Sequence, residues 1–191
     1  MSLKRLPRSF YLRDVHLVAK DLLNKVIVAG SCSARIVEVE AYAGDLDPAS
    51  HSYRGETPRN SVMFVRGGLL YVYFTYGMHF CMNAVVGPVG EAHAVLIRAA
   101  EPLSGISIMR RRRGLKISDR DLCRGPARLT QALGIARKDN GLDLTSKTSR
   151  VGIFEDGVIT KHLKSKRIGI SSGTENEWRY FVDSPFVSAT R

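Results

Sequence analysis

The eight residues Arg35-Ile36-Val37-Glu38-Val39-Glu40-Ala41-Tyr42 constrain the fold more than any other stretch. They alternate, and alternation at period two belongs to a strand. Val37, Val39 and Ala41 make one wholly apolar face, which must pack inward. Ile36, Glu38, Glu40 and Tyr42 make the other, which carries two carboxylates and a phenol. Residues 25–29 read as a strand before it, with Gly30-Ser31 as the turn of an antiparallel hairpin. Downstream, Gly67-Gly68 opens an aromatic strand in which Tyr71, Tyr73 and Thr75 share a face, and Gly77 breaks it, leaving Tyr76 at its tip. Residues 80–86 and 92–99 add two more strands around Gly87-Pro88-Val89-Gly90, so the sheet is antiparallel.

Helices are expected around this sheet. Asp14 can cap one over 15–23, where Val15, Val18, Ala19, Leu22 and Leu23 recur at helical spacing. A second covers 103–113 and ends in four arginines, which suit a helix C-terminus and could also hold phosphates. A third starts at Pro126 and stops at Gly134. Arg124 and Arg128 flank its start, where free N–H groups favour an anion. Residues 45–60 form a long polar loop, a length that in compact domains is functional or disordered. Residues 151–154 and 168–171 read as late strands, and Trp178-Arg179-Tyr180-Phe181-Val182 as a last apolar piece. The expected class is α+β, one domain over 1–191, built on a curved antiparallel sheet.

The formal charge of +11, from 29 Lys and Arg against 18 Asp and Glu, points to a polyanion, nucleic acid before membrane. No apolar run reaches the roughly 18 residues of a membrane span, and the basic N-terminus has no signal-peptide core, so a soluble intracellular protein is expected. Cys32, Cys81 and Cys123 are odd in number and widely spaced, which argues against a disulfide framework or a zinc knuckle.

Within residues 35–83, carboxylates, histidines and tyrosines concentrate as nowhere else. Glu40 could be a general base beside tyrosines, or a solvent-facing residue on an edge strand; Glu38, with the same parity, reads as the solvent-facing member. Tyr42, Tyr71, Tyr73 and Tyr76 could be core, or walls for a planar ligand. His51 could stack, act as a base, bind metal or be structural.

Several blocks resemble the alkyladenine (3-methyladenine) DNA glycosylase family. They are Val37-Glu38-Val39-Glu40-Ala41-Tyr42, Thr57-Pro58-Arg59-Asn60, Leu70-Tyr71-Val72-Tyr73-Phe74-Thr75-Tyr76-Gly77-Met78, Cys81-Met82-Asn83, Val95-Leu96-Ile97-Arg98-Ala99, Gly125-Pro126 and Ser184-Pro185-Phe186-Val187-Ser188. Their order and spacing hold one register from about Phe10 to Ser188. The resemblance implies an open-barrel sheet. It also implies a monofunctional enzyme that flips a damaged purine out of duplex DNA and hydrolyses its glycosidic bond without metal, cofactor or Schiff-base lysine.

By that resemblance Glu40 is the base that activates water, and Arg98 helps hold the water. Tyr42 stacks on one face of the flipped base, with His51 and Tyr73 on the other. Tyr71 orients His51, and Asn83 crowds the 2-amino group of guanine. Tyr76 wedges into the gap left in the duplex. Arg59, Arg110, Arg111, Arg124 and Arg128 are the expected phosphate contacts. His79 stands where the family often has an aromatic, and the segment before Ser184 is about one residue short. The lack of the long N-terminal extension of some eukaryotic members suggests a bacterial-type protein; a monomer acting in the cytoplasm on nucleoid DNA is expected. Two rivals stand beside it: a metal-dependent nuclease using Glu38, Glu40 and His51, and a non-catalytic module that stacks bases on its tyrosines.

Overall fold

In the computed structural model, residues 3–75, 77–159 and 161–189 are described. The chain begins with a short strand, β1 (Lys4–Arg5), and two helices, α1 (Arg8–Tyr11) and α2 (Val15–Leu22). Asp14 caps α2 as expected, its Oδ1 accepting from the N–H groups of His16 and Leu17 at 3.0 Å each. The sheet then grows through β2 (Val26–Ala29), β3 (Cys32–Tyr42), β4 (Leu70–Thr75), β5 (His79–Val86) and β6 (His93–Ser104). Helices α3 (Ile106–Arg113), α4 (Asp119–Leu122) and α5 (Pro126–Leu133) follow, then β7 (Val151–Glu155), β8 (Leu163–Ser165) and β9 (Arg179–Phe181). No helix among the described residues is long and apolar enough to cross a membrane.

All the pairings are antiparallel, in the order β1-β7-β2-β3-β6-β5-β4. Strand β3 is central. Its first half pairs with β2, and where β2 ends, β9 takes over the same edge opposite Glu38, Val39 and Glu40. The edge-strand reading of Glu40 therefore fails. Irregular register between β3 and β6 around Glu38 curls the sheet into a half-barrel. The apolar face of β3 packs inward: Val37, Val39 and Ala41 join Val18, Leu22, Ile97, Met109 and Leu129 in the main core.

Three sequence expectations are corrected. Leu103 belongs to β6 rather than to a helix, because Gly105, at φ 74°, separates strand from helix and α3 starts at Ile106. Residues 168–171 are irregular; the strands in that region are β8 and β9, on either side. The four-arginine run is only partly free to hold phosphates. Arg112 donates to the Ala132 carbonyl at 2.8 Å, and Arg113 to Leu122 O and to Gln131 Oε1, so both brace α5. Gly134 ends α5 in the left-handed conformation at φ 66°.

Candidate active site

Residues directly opposite in an antiparallel sheet share a face. Register therefore carries one row across five strands: Tyr71 opposite Asn83, Asn83 opposite Leu96, Leu96 opposite Glu40, and Glu40 opposite Arg179. Two residues along from this row stand Tyr73 and Cys81, also opposite each other. Of these, Tyr71, Tyr73, Cys81, Asn83 and Leu96, together with Tyr42, Ala94 and Arg98, line a cleft of about 640 Å³. The loop carrying Ser50 and His51, the segment 168–172, and Pro126 at the start of α5 close its rim.

Tyr71, Tyr73 and His51 form one aromatic wall. The Tyr71 and Tyr73 rings stack with centroids 5.6 Å apart, and His51 meets Tyr73 edge-on at 4.5 Å. Nδ1 of His51 lies 3.1 Å from the Tyr71 hydroxyl. His51 sits at the open lip, yet desolvation, aided by the charge of Arg59, lowers its pKa below the usual histidine range. Asn60, which sequence reasoning gave no role, organises this loop. Its Nδ2 donates to the carbonyls of His51 and Gly55, and its Oδ1 accepts from Thr57 N and Oγ1. All four of its hydrogen-bonding positions are thus filled, with the Asn60 side chain buried under an exposed turn.

Tyr42 makes the opposite wall. Behind it lies Arg167, whose guanidinium carbon is 4.7 Å from the Tyr42 centroid and 4.9 Å from that of Trp178. Arg167 is fully buried and fixed by both oxygens of the equally buried Asp47. Neither residue was anticipated, because their 120-residue separation gives no local pattern.

Glu40 is fully buried at the base of this arrangement. Its Oε2 accepts from the Tyr42 hydroxyl at 2.9 Å and lies 3.2 Å from Nη1 of Arg98. Its Oε1 accepts from the backbone N–H of Ile168 at 2.8 Å. Tyr42, Arg98 and Ile168 line the cleft, so the carboxylate stands one contact behind its surface. Burial raises the Tyr42 phenol well above its ordinary pKa, and the Glu40 charge adds to that.

Glu38 is the largest correction to the sequence reading. It is not solvent-facing but wholly buried. Its Oε1 accepts from Nε of Arg98 at 2.9 Å, Nε of Arg179 at 2.7 Å and Oγ of Ser188 at 2.7 Å, while Oε2 accepts from the Ser188 N–H at 2.7 Å. Burial works against its ionisation, but Arg98, Ser188 and Arg179 outweigh it and hold the pKa below the usual carboxylate range. The C-terminal segment thus covers what would have been an open face of β3. A charged residue inside the apolar piece 178–182 was the available signal for Arg179. Both carboxylates are taken up by guanidinium groups, and no set of three metal-binding side chains gathers among the described residues.

Asn83 is buried in the cleft, its Nδ2 donating to the Tyr71 carbonyl at 3.2 Å. Arg59 is exposed beside the wall, 5.7 Å from the Tyr73 centroid, and donates to Phe74 O at 3.3 Å. Arg124, near the start of α5, donates to Val187 O at 2.8 Å; Arg128 is exposed, 3.9 Å from Asp121. Arg110 pairs with Asp119 at 2.7 Å, and Arg111 is exposed with no ion pair among the described residues. Tyr76, the expected wedge, lies outside the described residues.

A half-barrel whose aromatic cleft ends on a buried carboxylate and its arginine has the form of a pocket for a flat ring. The family described as methylpurine-DNA glycosylase matches residues 9–185, nearly the whole chain. A relative from Burkholderia lata is 53% identical over 180 residues, covering 93% of this chain and 87% of the relative. One from Carboxydothermus hydrogenoformans is 48% identical over 193 residues, covering 96% and 98%. One from Rhodopseudomonas palustris is 47% identical over 184 residues, covering 96% and 87%. Each of the three is provisionally named a 3-methyladenine DNA glycosylase. The chain belongs to the methylpurine-DNA glycosylase family; it is a monofunctional DNA glycosylase, and DNA is its substrate.

Proposed function

We propose that this glycosylase excises alkylated and deaminated purines, of the 3-methyladenine, 7-methylguanine and hypoxanthine class, from double-stranded DNA. It does so as a monomer in the bacterial cytoplasm, on nucleoid DNA, and leaves an abasic site. The observation that carries the reading is the meeting of Glu40, Arg98 and Tyr42 at the end of an aromatic cleft. A base flipped out of the duplex enters between Tyr42 and the His51–Tyr73 wall, where stacking is indifferent to sequence. Electron-rich rings favour the positive charge of an alkylated purine. Asn83 faces the base edge and crowds a 2-amino group, and Tyr76 fills the gap in the duplex. Arg59, Arg110, Arg111, Arg124 and Arg128 supply phosphate contacts.

The chemistry follows from where charge develops. As the bond from C1′ to the purine nitrogen breaks, its electron pair leaves with the purine and the sugar becomes oxocarbenium-like. The Glu40 carboxylate stabilises that charge and accepts a proton from the water that attacks C1′. Water reaches it by parting one of its three contacts, and Arg98, at the cleft surface, holds the water oxygen. A cationic alkylpurine departs neutral without being protonated, whereas hypoxanthine departs with the electron pair as an anion and takes a proton from solvent water.

The test is single-turnover excision from a duplex containing hypoxanthine or a methylpurine, with hot alkali revealing abasic sites. Glu40→Gln keeps the shape but cannot take the proton, and it turns one of two accepting oxygens into a donor, so its rate falls by about 10²–10⁴. Its affinity for the lesion duplex stays near that of the unmodified enzyme. Excision by Glu40→Gln at the unmodified rate rejects this role for the site.

A further inference from the structure

We infer that Glu38 is a positioning residue for the reaction: it fixes the guanidinium of Arg98 in the one pose from which that group can serve both Glu40 and a water. The inference rests on the function proposed above. It starts from a charge count in a dry place. Glu38, Glu40, Arg98 and Arg179 are each at most 8% exposed in their side chains, and two carboxylates face two guanidiniums. The set is neutral only as a whole, and a buried charge without its partner is costly.

Within that set the partners are divided unequally. Arg98 gives Nε to Glu38 at 2.9 Å and Nη1 to Glu40 at 3.2 Å, so it bridges two carboxylates on one strand. A guanidinium prefers a bidentate fork on a single carboxylate. Glu38 takes Nε, so the fork through Nε is closed to Glu40, which receives Nη1 alone. Glu40 then keeps lone pairs for other donors. Glu38 is itself held from two sides by elements distant in sequence. Arg179 on β9 fixes its Oε1, and the N–H and hydroxyl of Ser188 fix both oxygens. The segment carrying Ser188 is tied down in turn by Arg120 on Pro185 O at 3.0 Å and Arg124 on Val187 O at 2.8 Å. Glu38 does not line the cleft, so it acts through Arg98 and not on the substrate.

The experiment is a double-mutant cycle read in single-turnover rate per folded enzyme, with lesion-duplex affinity measured beside it. Glu38→Gln should lower the rate by about 10²-fold, the scale of a misplaced reacting group, and leave affinity within about twofold of wild type. In an Arg98→Lys background, which has no fork to position, the same change should cost almost nothing further. Ser188→Ala removes one donor to Glu38 and keeps the backbone N–H; it should slow excision by about threefold to tenfold, an effect also absent in Arg98→Lys. It carries the test if Glu38→Gln does not fold. Equal costs in both backgrounds, or a loss of affinity matching the loss of rate, would overturn the inference. If Glu40→Gln is inactive while Glu38→Gln and Ser188→Ala excise normally, this inference alone fails; if Glu40→Gln is active, the site reading fails first.

Discussion

The hydroxyl of Tyr42 donates to Oε2 of Glu40 at 2.9 Å, so the wall of the cleft and its carboxylate are one hydrogen-bonded unit. Stacking and hydrogen bonding by Tyr42 can be separated. Tyr42→Phe keeps the ring on Arg167 and removes the donor, while Tyr42→Ala removes the wall. We expect Tyr42→Phe to bind a lesion duplex normally and to excise about tenfold to a hundredfold more slowly than wild type, since a hydrogen bond to a charged group contributes about 1.5–3 kcal/mol. Tyr42→Ala should lose affinity as well as rate, since a stacked base contributes about 1–3 kcal/mol. Equal behaviour of the two variants would show that the ring does not hold the base.

His51 gives a pH test with a definite sign. Its pKa in the folded protein is depressed, by burial first and by Arg59 second. The unfolded chain therefore takes up a proton at His51, near pH 6.5, before the folded one does. Stability must fall as pH drops through that window, because the unfolded state binds more protons there. His51→Gln lacks the group, so urea unfolding at pH 7, 6 and 5 should show the wild type losing more stability than the variant. Parallel losses would mean that His51 titrates normally.

The arginines divide by what they already hold. Arg111, Arg112 and Arg128 are all exposed, but Arg112 and Arg113 are spent on carbonyls and Gln131. Non-specific DNA binding should weaken steeply with salt, by about 0.9 in log–log slope for each phosphate contact. Arg111→Gln and Arg128→Gln should each lower that slope by about 0.9. Arg112→Gln should leave it unchanged and lower thermal stability instead. A slope indifferent to all three changes places the DNA elsewhere on the surface.

Asp47 and Arg167 form a pair with both side chains fully buried. Removing one partner of such a pair costs about 3–5 kcal/mol, because the other charge is stranded. Asp47→Asn should lose stability on that scale in chemical denaturation. It should also loosen Tyr42 and the neighbouring rim segment, seen as weaker lesion binding in the protein that remains folded. A loss below about 1 kcal/mol would mean that Arg167 finds water or another partner.

Much of this site is legible in the chain because it is written at period two. Alternation in 35–42 puts Glu40 and Tyr42 on one face, and alternation in 70–75 does the same for Tyr71 and Tyr73. Asp14, Pro126 and Gly134 mark helix ends through local backbone chemistry, which needs no distant partner. Glu38 shows where this stops. Parity puts it on the same face as Glu40 but cannot say what covers that face.

The sequence by itself determined which residues share a strand face, where the hairpins turn and which family pattern the chain carries, because these depend on neighbours within a few residues. The tertiary structure alone decided that the polar face of β3 is buried. Residues 128 to 150 positions away, Ile168 and Ser188, bring N–H groups to Glu40 and Glu38, and Arg98 and Arg179 bring the compensating charge. A buried carboxylate is stable only when such partners arrive, and their arrival depends on how the chain returns to the sheet.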